Sequence, residues 1–243
     1  MPPLETERLI LRDFVLTDWD ALNAIVSDPS VTRFMHFAFW DEAKRREWFT
    51  RLVQNAGNPH SDAYNWAITL KSNGMLIGWL FIGGTSRPSE AGCGYALNQH
   101  FWGQGYMLET LRVVIAYEFS VLGTCRITAE CETQNTASAR VMQKSGMVSE
   151  GTFYEPDFEG NWAQRHHYAI SKQDGDSRRL IVGRQKTFSP KRLLMSEVAG
   201  LPESIAACPK EHYLQGITVH FLKAVNDDAS TVSTLLPGTC ASG

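Results

Sequence analysis

The sequence predicts an α+β fold in which a mixed, mostly antiparallel central sheet is flanked by helices. Strand-like and helix-like segments follow one another in the order β-α-α-β-β-β-α-β-α-β-β, so that some strands are consecutive and others alternate with helices. The turn signal Ser72-Asn73-Gly74 joins two consecutive strands and favours a hairpin. With 243 residues, 43% hydrophobic and 20% charged, the chain has the length and composition of a globular protein with a full core.

The first elements are a strand and a helix. Leu9 and Leu11 alternate with other residues within positions 4–14, which predicts a strand. Thr17 is the expected N-cap of the following helix, because a hydroxyl oxygen there can accept a hydrogen bond from the first turn. The dipeptide Asp28-Pro29 is expected to end this helix.

A second helix and three strands come next. The helix is predicted over residues 41–54, with Trp48, Phe49 and Leu52 on its apolar side. The middle strand of the three is almost continuously apolar, as a central strand is. The three strands are expected at residues 66–70, 75–82 and 93–97.

Helices and strands alternate in the following part of the chain. One helix follows the sequence FWGQGY, with Leu108, Leu111 and Ile115 at helical spacing. Another begins at Asn135 and ends at Gly146, which is typical of a residue just past a helix C-terminus. Strands are expected at residues 126–131, 147–153 and 165–170.

The patterning weakens after Ile170. Residues 172–243 are rich in Ser, Thr and Gly and hold only short apolar patches. We therefore predict one domain over residues 1–171 and a poorly ordered C-terminal extension over residues 172–243. Residues 178–192 carry six Lys or Arg and no acid, which suits a mobile tail or a docking segment for an acidic partner or RNA.

Charge and composition argue against several classes of partner. The formal net charge of −3 and the pI of about 6.2 give no global attraction to nucleic acid or to an anionic membrane. No apolar run approaches the ~20 residues that span a bilayer. The five cysteines form no CxxC pair and no regular framework, which is typical of a cytoplasmic protein. His166 and His167 are adjacent and so point to opposite faces of a strand, and we expect no metal site.

Residues 94–109, GYALNQHFWGQGYMLE, form the chemically most informative segment. A predicted strand ends here, a glycine-rich turn follows, and a helix begins. This order points unpaired backbone N–H groups and the positive end of a helix dipole at one place, which makes an anion site. Gly103 and Gly105 would let the backbone approach a pyrophosphate without a Cβ in the way. A tight structural turn produces the same pattern.

Four segments in order resemble the GNAT acetyltransferases, in particular the ribosomal-protein N-acetyltransferase branch of RimJ/RimL type. FWGQGYMLETL resembles their acetyl-CoA pyrophosphate loop, and LETERLILRDF resembles their opening strand. NTASARVMQKSGM resembles their Asn-x-x-Ser helix, and EGTFYE with GNW and YAI resembles their closing hairpin. The resemblance covers residues 4–171. It implies the acyl-CoA N-acyltransferase fold and direct transfer of an acetyl group from acetyl-CoA to a primary amine in a ternary complex.

The resemblance also implies roles for individual residues. The backbone N–H of Leu97 would face the thioester oxygen, and Asn135 would hold the pantetheine arm, unless it serves only as a helix N-cap. Ser138 would donate a hydrogen bond to the departing sulfur, or else be an ordinary packing residue. Glu109 is expected to be structural and to bond backbone near the start of its helix. The implied cofactor-binding residues are Tyr95, Leu97, His100, Phe101, Trp102, Gly103, Gln104, Gly105, Tyr106, Asn135 and Ser138.

Three positions depart from the family pattern. His100 replaces the Gln or Arg that begins the general superfamily loop, and Met142 replaces the Tyr that many members use as a general acid. Gly92 replaces a glutamate that the branch often carries before its Gly-Tyr pair. The general base is therefore open, and the candidates are Glu90, Glu155 and Asp157, each of which also suits a solvated loop carboxylate.

The acceptor is open as well. The branch implies the α-amine of a protein N-terminus, and a small-molecule amine such as a polyamine or amino sugar is the alternative. Because Gly92 and Met142 leave two acid/base positions empty, a non-catalytic acyl-CoA-binding module is the competing hypothesis of a different class.

Overall fold

The computed structural model describes residues 3–58, 61, 63–156 and 161–173. The candidate base Asp157 and the basic segment at 178–192 lie outside the described residues. The strands are β1 (Leu4–Glu5), β2 (Leu9–Arg12), β3 (Ala63–Leu70), β4 (Leu76–Gly84), β5 (Glu90–Leu97), β6 (Arg126–Glu132), β7 (Val148–Pro156) and β8 (Trp162–Ser171). The α-helices are α1 (Trp19–Val26), α2 (Pro29–Thr32), α3 (Glu42–Gln54), α4 (Tyr106–Tyr117) and α5 (Thr136–Ser145). Short helical turns span Leu16–Asp18, His36–Phe39, Gln99–Phe101 and Glu118–Leu122.

All eight strands belong to one sheet in the order β1-β2-β3-β4-β5-β6-β8-β7. Every neighbouring pair is antiparallel except β5 and β6, which run parallel. The predicted fold class, a mixed and mostly antiparallel sheet flanked by helices, is confirmed.

Two apolar clusters cover the two faces of the sheet. The larger one packs α4 and α5 on one face, through residues such as Leu111, Val114 and Met142. The second packs α1 and α3 on the other face, where Leu22, Trp48 and Phe49 meet Ala67, Trp79 and Ala96. The strands between the two layers are buried on both faces, which explains why β4 reads as a continuous apolar run.

The opening strand is two strands rather than one. β1 and β2 pair antiparallel, with Leu4 opposite Leu11. The Thr6 backbone N–H donates to the Leu9 carbonyl at 3.0 Å, and the Leu9 N–H donates to the Thr6 hydroxyl at 2.9 Å. These bonds close a tight turn that alternation of apolar residues does not reveal.

The predicted cap Thr17 is wrong. The α-helix begins at Trp19, after a 3₁₀ turn that contains Thr17. The neighbouring carboxylate of Asp18 is buried and accepts from the Arg12 guanidinium at 2.6 and 2.8 Å. The turn is therefore held by an ion pair to β2 instead of by a hydroxyl cap.

Of the other helix ends, the start of α3 at Asp41 and the end of α5 at Gly146 follow the sequence prediction, whereas the short helix α2 is not predicted. Asp28 caps α2, with its carboxylate accepting from the Ser30 N–H at 2.8 Å, and Asp41 caps α3 through the Lys44 N–H at 2.8 Å. Gly146 ends α5 in the left-handed region at φ 105°. The polar side chain before α2 and the one before α3 each satisfy an N–H that the helix itself leaves unpaired.

Two features concern membranes and metals. Within the part of the chain that the structure describes, no helix is long and apolar enough to cross a membrane. The same residues include no group of three or more His, Cys, Asp or Glu side chains placed to hold a metal ion.

Candidate active site

The sheet opens between its two parallel strands. β5 and β6 pair only at Glu90–Arg126, Ala91–Ile127 and Gly92–Thr128, and the remaining residues of both strands carry no such pairing. The Asn98 N–H donates to the Ile77 carbonyl of β4 at 2.9 Å. Because backbone groups alternate along a strand, the N–H groups of Leu97 and Tyr95, which lie beyond the last paired residue Gly92, point to the other side, into this gap.

A glycine-rich loop lies at the end of β5 and leads into α4. Gly103 and Gly105 have φ values of 74° and 83°, in the left-handed region that favours glycine. Gly105 is the N-cap of α4 and makes no side-chain cap bond. The sequence predicts that the first N–H groups of this helix hold an anion, and Gly105 has no side chain to accept from them in its place.

Side chains of the loop hold its backbone in shape. The Trp102 indole donates to the Leu97 carbonyl at 2.7 Å, and the Gln104 amide donates to the His100 carbonyl at 3.0 Å. The rings of Phe101 and Tyr106 pack 6.0 Å apart. Residues 97 and 100–106, predicted to bind the cofactor, thus form one folded unit.

Arg8 belongs to this loop, although sequence reasoning missed it. Its guanidinium donates to the Gln104 carbonyl at 3.0 Å and lies over the Tyr106 ring, 4.2 Å from the centroid. It also lies 3.6 Å from the position that a Cβ at Gly105 would occupy. The turn between β1 and β2 therefore places a cation next to the predicted anion site, through contacts about a hundred positions apart in the chain.

Glu109 connects α4 to the same turn. Its carboxylate accepts from the Thr6 hydroxyl, the Arg8 N–H at 3.0 Å and the Arg8 guanidinium at 2.7 Å. Burial alone would raise the pKa of Glu109, but these hydrogen bonds outweigh it and lower the pKa below its ordinary value. The residue is structural, as predicted, but it bonds to the β1–β2 turn rather than to the start of its own helix.

Tyr95 and Ser138 meet at the other end of the gap. The Tyr95 hydroxyl and the Ser138 Oγ are 2.9 Å apart, which links β5 to α5. Burial raises the pKa of Tyr95 above its ordinary value, so the phenol is neutral at pH 7. Asn135 accepts from the Ser138 N–H at 3.1 Å and is therefore a helix N-cap in this structure. Cys131 lies beside Ser138, and burial raises the pKa of its thiol to about 11.

Two of the three candidate bases, Glu90 and Glu155, lie in the described part of the chain, and each forms ion pairs. Glu90 is buried and pairs with the Arg126 guanidinium at 3.0 Å and with Arg87 at 3.5 Å. Glu155 pairs with Arg165 at 3.6 Å on the β7–β8 hairpin. Both carboxylates are thus engaged by arginines.

Met142 and Gly92, two of the three positions that depart from the family pattern, have different surroundings. Met142 is fully buried in the core, and its thioether cannot donate a proton as a general acid does. A Cβ at Gly92 would meet only the Thr85 methyl at 3.7 Å and the Thr128 hydroxyl at 4.0 Å. The structure has space for a side chain at Gly92, and the sequence leaves that space empty.

The sequence is similar to known acetyltransferases. A family model described as "Acetyltransferase (GNAT) domain" matches residues 8–148. The Bacillus subtilis (strain 168) protein "Uncharacterized N-acetyltransferase YnaD" is 27% identical over 172 residues, covering 70% of this chain and 98% of that protein.

Solved structures share the fold. An acetyltransferase of the GNAT family from Bacillus anthracis aligns with a TM-score of 0.61 at 26% identity, covering 70% of this chain and 99% of that one. A ribosomal-protein-S5-alanine acetyltransferase from Vibrio fischeri aligns with a TM-score of 0.58 at 23% identity, covering 72% of this chain and 98% of that one. The second likeness, at 23% identity, shows that the fold is shared.

Proposed function

Because the chain belongs to the GNAT acetyltransferase family and is an acetyl-CoA-dependent N-acetyltransferase, we propose that its acceptor is the α-amine of a protein N-terminus. The observation that carries this proposal is the empty position at Gly92, next to the gap between β5 and β6. The branch often places a glutamate there, and an enzyme without it favours an amine that is already partly neutral.

We propose that acetyl-CoA lies along the gap, with its pyrophosphate at the N-terminus of α4. The left-handed glycines Gly103 and Gly105 and the neighbouring Arg8 support this placement. The N–H groups of Leu97 and Tyr95, which point into the gap, are suited to hold the pantetheine arm and the thioester oxygen. Orientation of this kind can lower a barrier by ~7–11 kcal/mol.

Ser138 is the proposed hydrogen-bond donor to the departing sulfur. Its hydroxyl shares a hydrogen bond with the neutral Tyr95 phenol, so a second donor stands behind it. A thiol has a pKa near 8.5, and its thiolate therefore needs only modest stabilisation to leave. This pair takes the place of the tyrosine that is absent at position 142.

The protonation state of the amine decides between acceptors. A lysine side chain with a pKa of about 10.4 is only about 0.04% neutral at pH 7. An α-amine with a pKa of about 7.7–8.0 is about 9–17% neutral at the same pH. The α-amine therefore offers over two powers of ten more reactive species.

A small-molecule amine remains the alternative acceptor, since a low-pKa amine of any size meets the same condition. The non-catalytic module is not favoured, because the family and the named relative are N-acetyltransferases. We also propose a cytoplasmic location, which the cysteine pattern of the sequence supports.

The test offers both amines on one molecule. A peptide with a free N-terminus and one internal lysine is incubated with acetyl-CoA, and mass spectrometry locates the acetyl group. We expect predominant acetylation of the α-amine. Two control peptides, one with a blocked N-terminus and one with Arg in place of Lys, give the rate at each group alone. Predominant lysine acetylation contradicts the proposal, and rapid turnover of small amines with none of the peptide selects the alternative.

A further inference from the structure

A polar cluster lies beside the gap, on the sheet face opposite α4 and α5. On β6, Ile127, Ala129 and Cys131 are buried against those helices, so Thr128 and Glu130 face the other way. Thr128 is the last β6 residue paired with β5, and Glu130 follows two positions later, about 7 Å further along the strand. Glu130 therefore stands at the edge of the opening, on the side of the empty Gly92 position.

His167 lies directly opposite Glu130 in the register of β6 and β8. Its Nδ1 is 3.1 Å from a Glu130 carboxylate oxygen, and its Nε2 is 3.4 Å from a Glu150 carboxylate oxygen. The side chains of His167, Glu130 and Glu150 are 26%, 24% and 31% exposed, so water reaches all three. Both ring nitrogens thus face carboxylates at a solvent-accessible site.

Glu150 reaches the ring because β7 carries a β-bulge at this point. Ser149 pairs with Tyr168 and Gly151 pairs with His167, so that Glu150 is the additional residue between them. A bulge re-aims the side chain that it adds, and bulges are frequent next to active sites. The Glu150 carboxylate also forms an ion pair with Arg126, which fixes its direction.

Two carboxylates around one imidazole create a place for a proton. A neutral imidazole has a single N–H and can donate to only one of the two carboxylates. A second proton on the ring satisfies both contacts at once. Resting on the proposed function, we propose that His167, held between Glu130 and Glu150, takes the proton that the acceptor amine loses. Glu130 lies between the ring and the gap and passes the proton on, directly or through a water.

The reaction then balances as follows. The ammonium form of the acceptor gives one proton through Glu130 to His167 and becomes a neutral amine. Its lone pair forms the N–C bond to the acetyl carbon, and the C–S bond breaks with both electrons going to sulfur. The second amine proton ends on the thiolate beside Ser138. His167 returns its proton to solvent, so that each turnover releases an acetamide, CoA thiol and one proton.

Other charged groups near this face also form ion pairs. Arg126 lies between Glu90 and Glu150, and Arg165 lies beside Glu155. Within the part of the chain that the structure describes, the ion pairs from His167 lead to Glu130 and Glu150, and from Glu150 through Arg126 to Glu90. Glu132 on β6, Glu155 on β7 and Arg165 on β8 stand further along the same strands.

His167→Gln tests the proposal, because Gln can donate one hydrogen bond but takes up no proton. The kcat/KM for the peptide α-amine is measured with acetyl-CoA between pH 6.5 and pH 9, for the wild type and the variant. We expect a loss of at least about tenfold at pH 6.5 that shrinks to less than about threefold at pH 9, where an amine with a pKa near 8 is mostly neutral without help. The KM for acetyl-CoA should not change.

His166→Gln is the matched control, since the adjacent ring lies on the opposite face against Tyr168, and its profile should run parallel to that of the wild type. Glu130→Gln, the second variant, should show the same pH-dependent loss even if His167→Gln folds poorly. An unchanged rate, or a loss that is equal at every pH, overturns the proposal while an active wild type leaves the proposed function intact. A wild type that acetylates no amine rejects both.

Discussion

Gly105 is the residue at which cofactor binding depends most directly on backbone conformation. Its φ of 83° lies in a region that side chains with a Cβ rarely adopt, and a side chain there would project beside the Arg8 guanidinium. We expect Gly105→Val to weaken acetyl-CoA binding by at least about tenfold, or ~1.4 kcal/mol. Isothermal titration calorimetry on the folded variant measures this directly.

Gly57→Val controls for the strain alone. Gly57 also has a positive φ, 72°, and among the described residues a Cβ there would meet no atom within 4 Å. It follows α3, away from the loop at residues 100–106. Its substitution should lower the thermal stability and leave acetyl-CoA affinity unchanged. Equal affinities for both variants and the wild type would remove the pyrophosphate assignment.

At the scale of single residues, local patterns could be predicted from the sequence and distant contacts could not. Gly103 and Gly105 indicate a left-handed backbone conformation, because few residues other than glycine adopt it. The contact between Arg8 and Glu109 joins positions about a hundred residues apart, and no periodicity in either segment indicates it. The sequence shows His167 only as a neighbour of His166, because the two carboxylates that contact it come from other strands.

At the scale of elements, helices with a polar cap were predicted well. Asp41, Asn135 and Gly146 mark helix ends through bonds to the nearest turn, which are local in sequence. The start of α1 was wrong because Asp18 pairs with Arg12 on a strand, and this tertiary contact displaces the cap expected at Thr17. The hairpin of β1 and β2 was missed because its turn is stabilised by the side chain of Thr6 rather than by Gly or Pro.

The turn between α4 and β6 gives a pH-dependent prediction. Glu118 is buried there and accepts from the Thr124 hydroxyl. Burial raises the pKa of Glu118 above its ordinary value of 4.5, and the bond from Thr124 opposes this only in part. Above pH 4.5 the folded state therefore holds this proton more tightly than the unfolded chain, so that the contribution of Glu118 to stability falls as the pH rises.

Glu118→Gln removes the charge and keeps an acceptor oxygen for Thr124. We expect the Tm difference, variant minus wild type, to increase between pH 4.5 and pH 8. Thermal unfolding followed by circular dichroism at several pH values provides the measurement. Glu42→Gln on α3, where the side chain is 63% exposed, serves as the control and should show a flat difference. A difference that is flat or falls with pH for Glu118→Gln would show that the carboxylate is not held in its neutral form.

At the scale of the whole molecule, the sequence indicated which segments are strands but not their order in the sheet. The chain places β8 between β6 and β7, and it separates the parallel strands β5 and β6 beyond Gly92. Strand order depends on pairings between distant segments, which alternation within each segment does not encode. The gap that forms the candidate site is thus a property of the assembled sheet, and only the resemblance to a family made it predictable.

The predicted domain boundary lies after residue 171, and the sheet indicates where the chain can be truncated. β8 is an internal strand that carries the buried side chains of Tyr168 and Ile170, and its ladder with β6 continues to the bond from the Lys172 N–H to the Cys125 carbonyl at 2.9 Å. The relative from Bacillus subtilis aligns along 98% of its own length and covers only 70% of this chain. We therefore propose that a chain ending at Gln173, which keeps the whole of β8, folds and keeps its kcat/KM within about threefold of the full chain. A chain ending at His166 is the matched control and should not fold, because it loses the buried end of β8. Thermal unfolding and acetyl-CoA turnover are measured for both truncated chains. If the chain ending at Gln173 does not fold, part of residues 174–243 belongs to the structural unit and the predicted boundary is wrong.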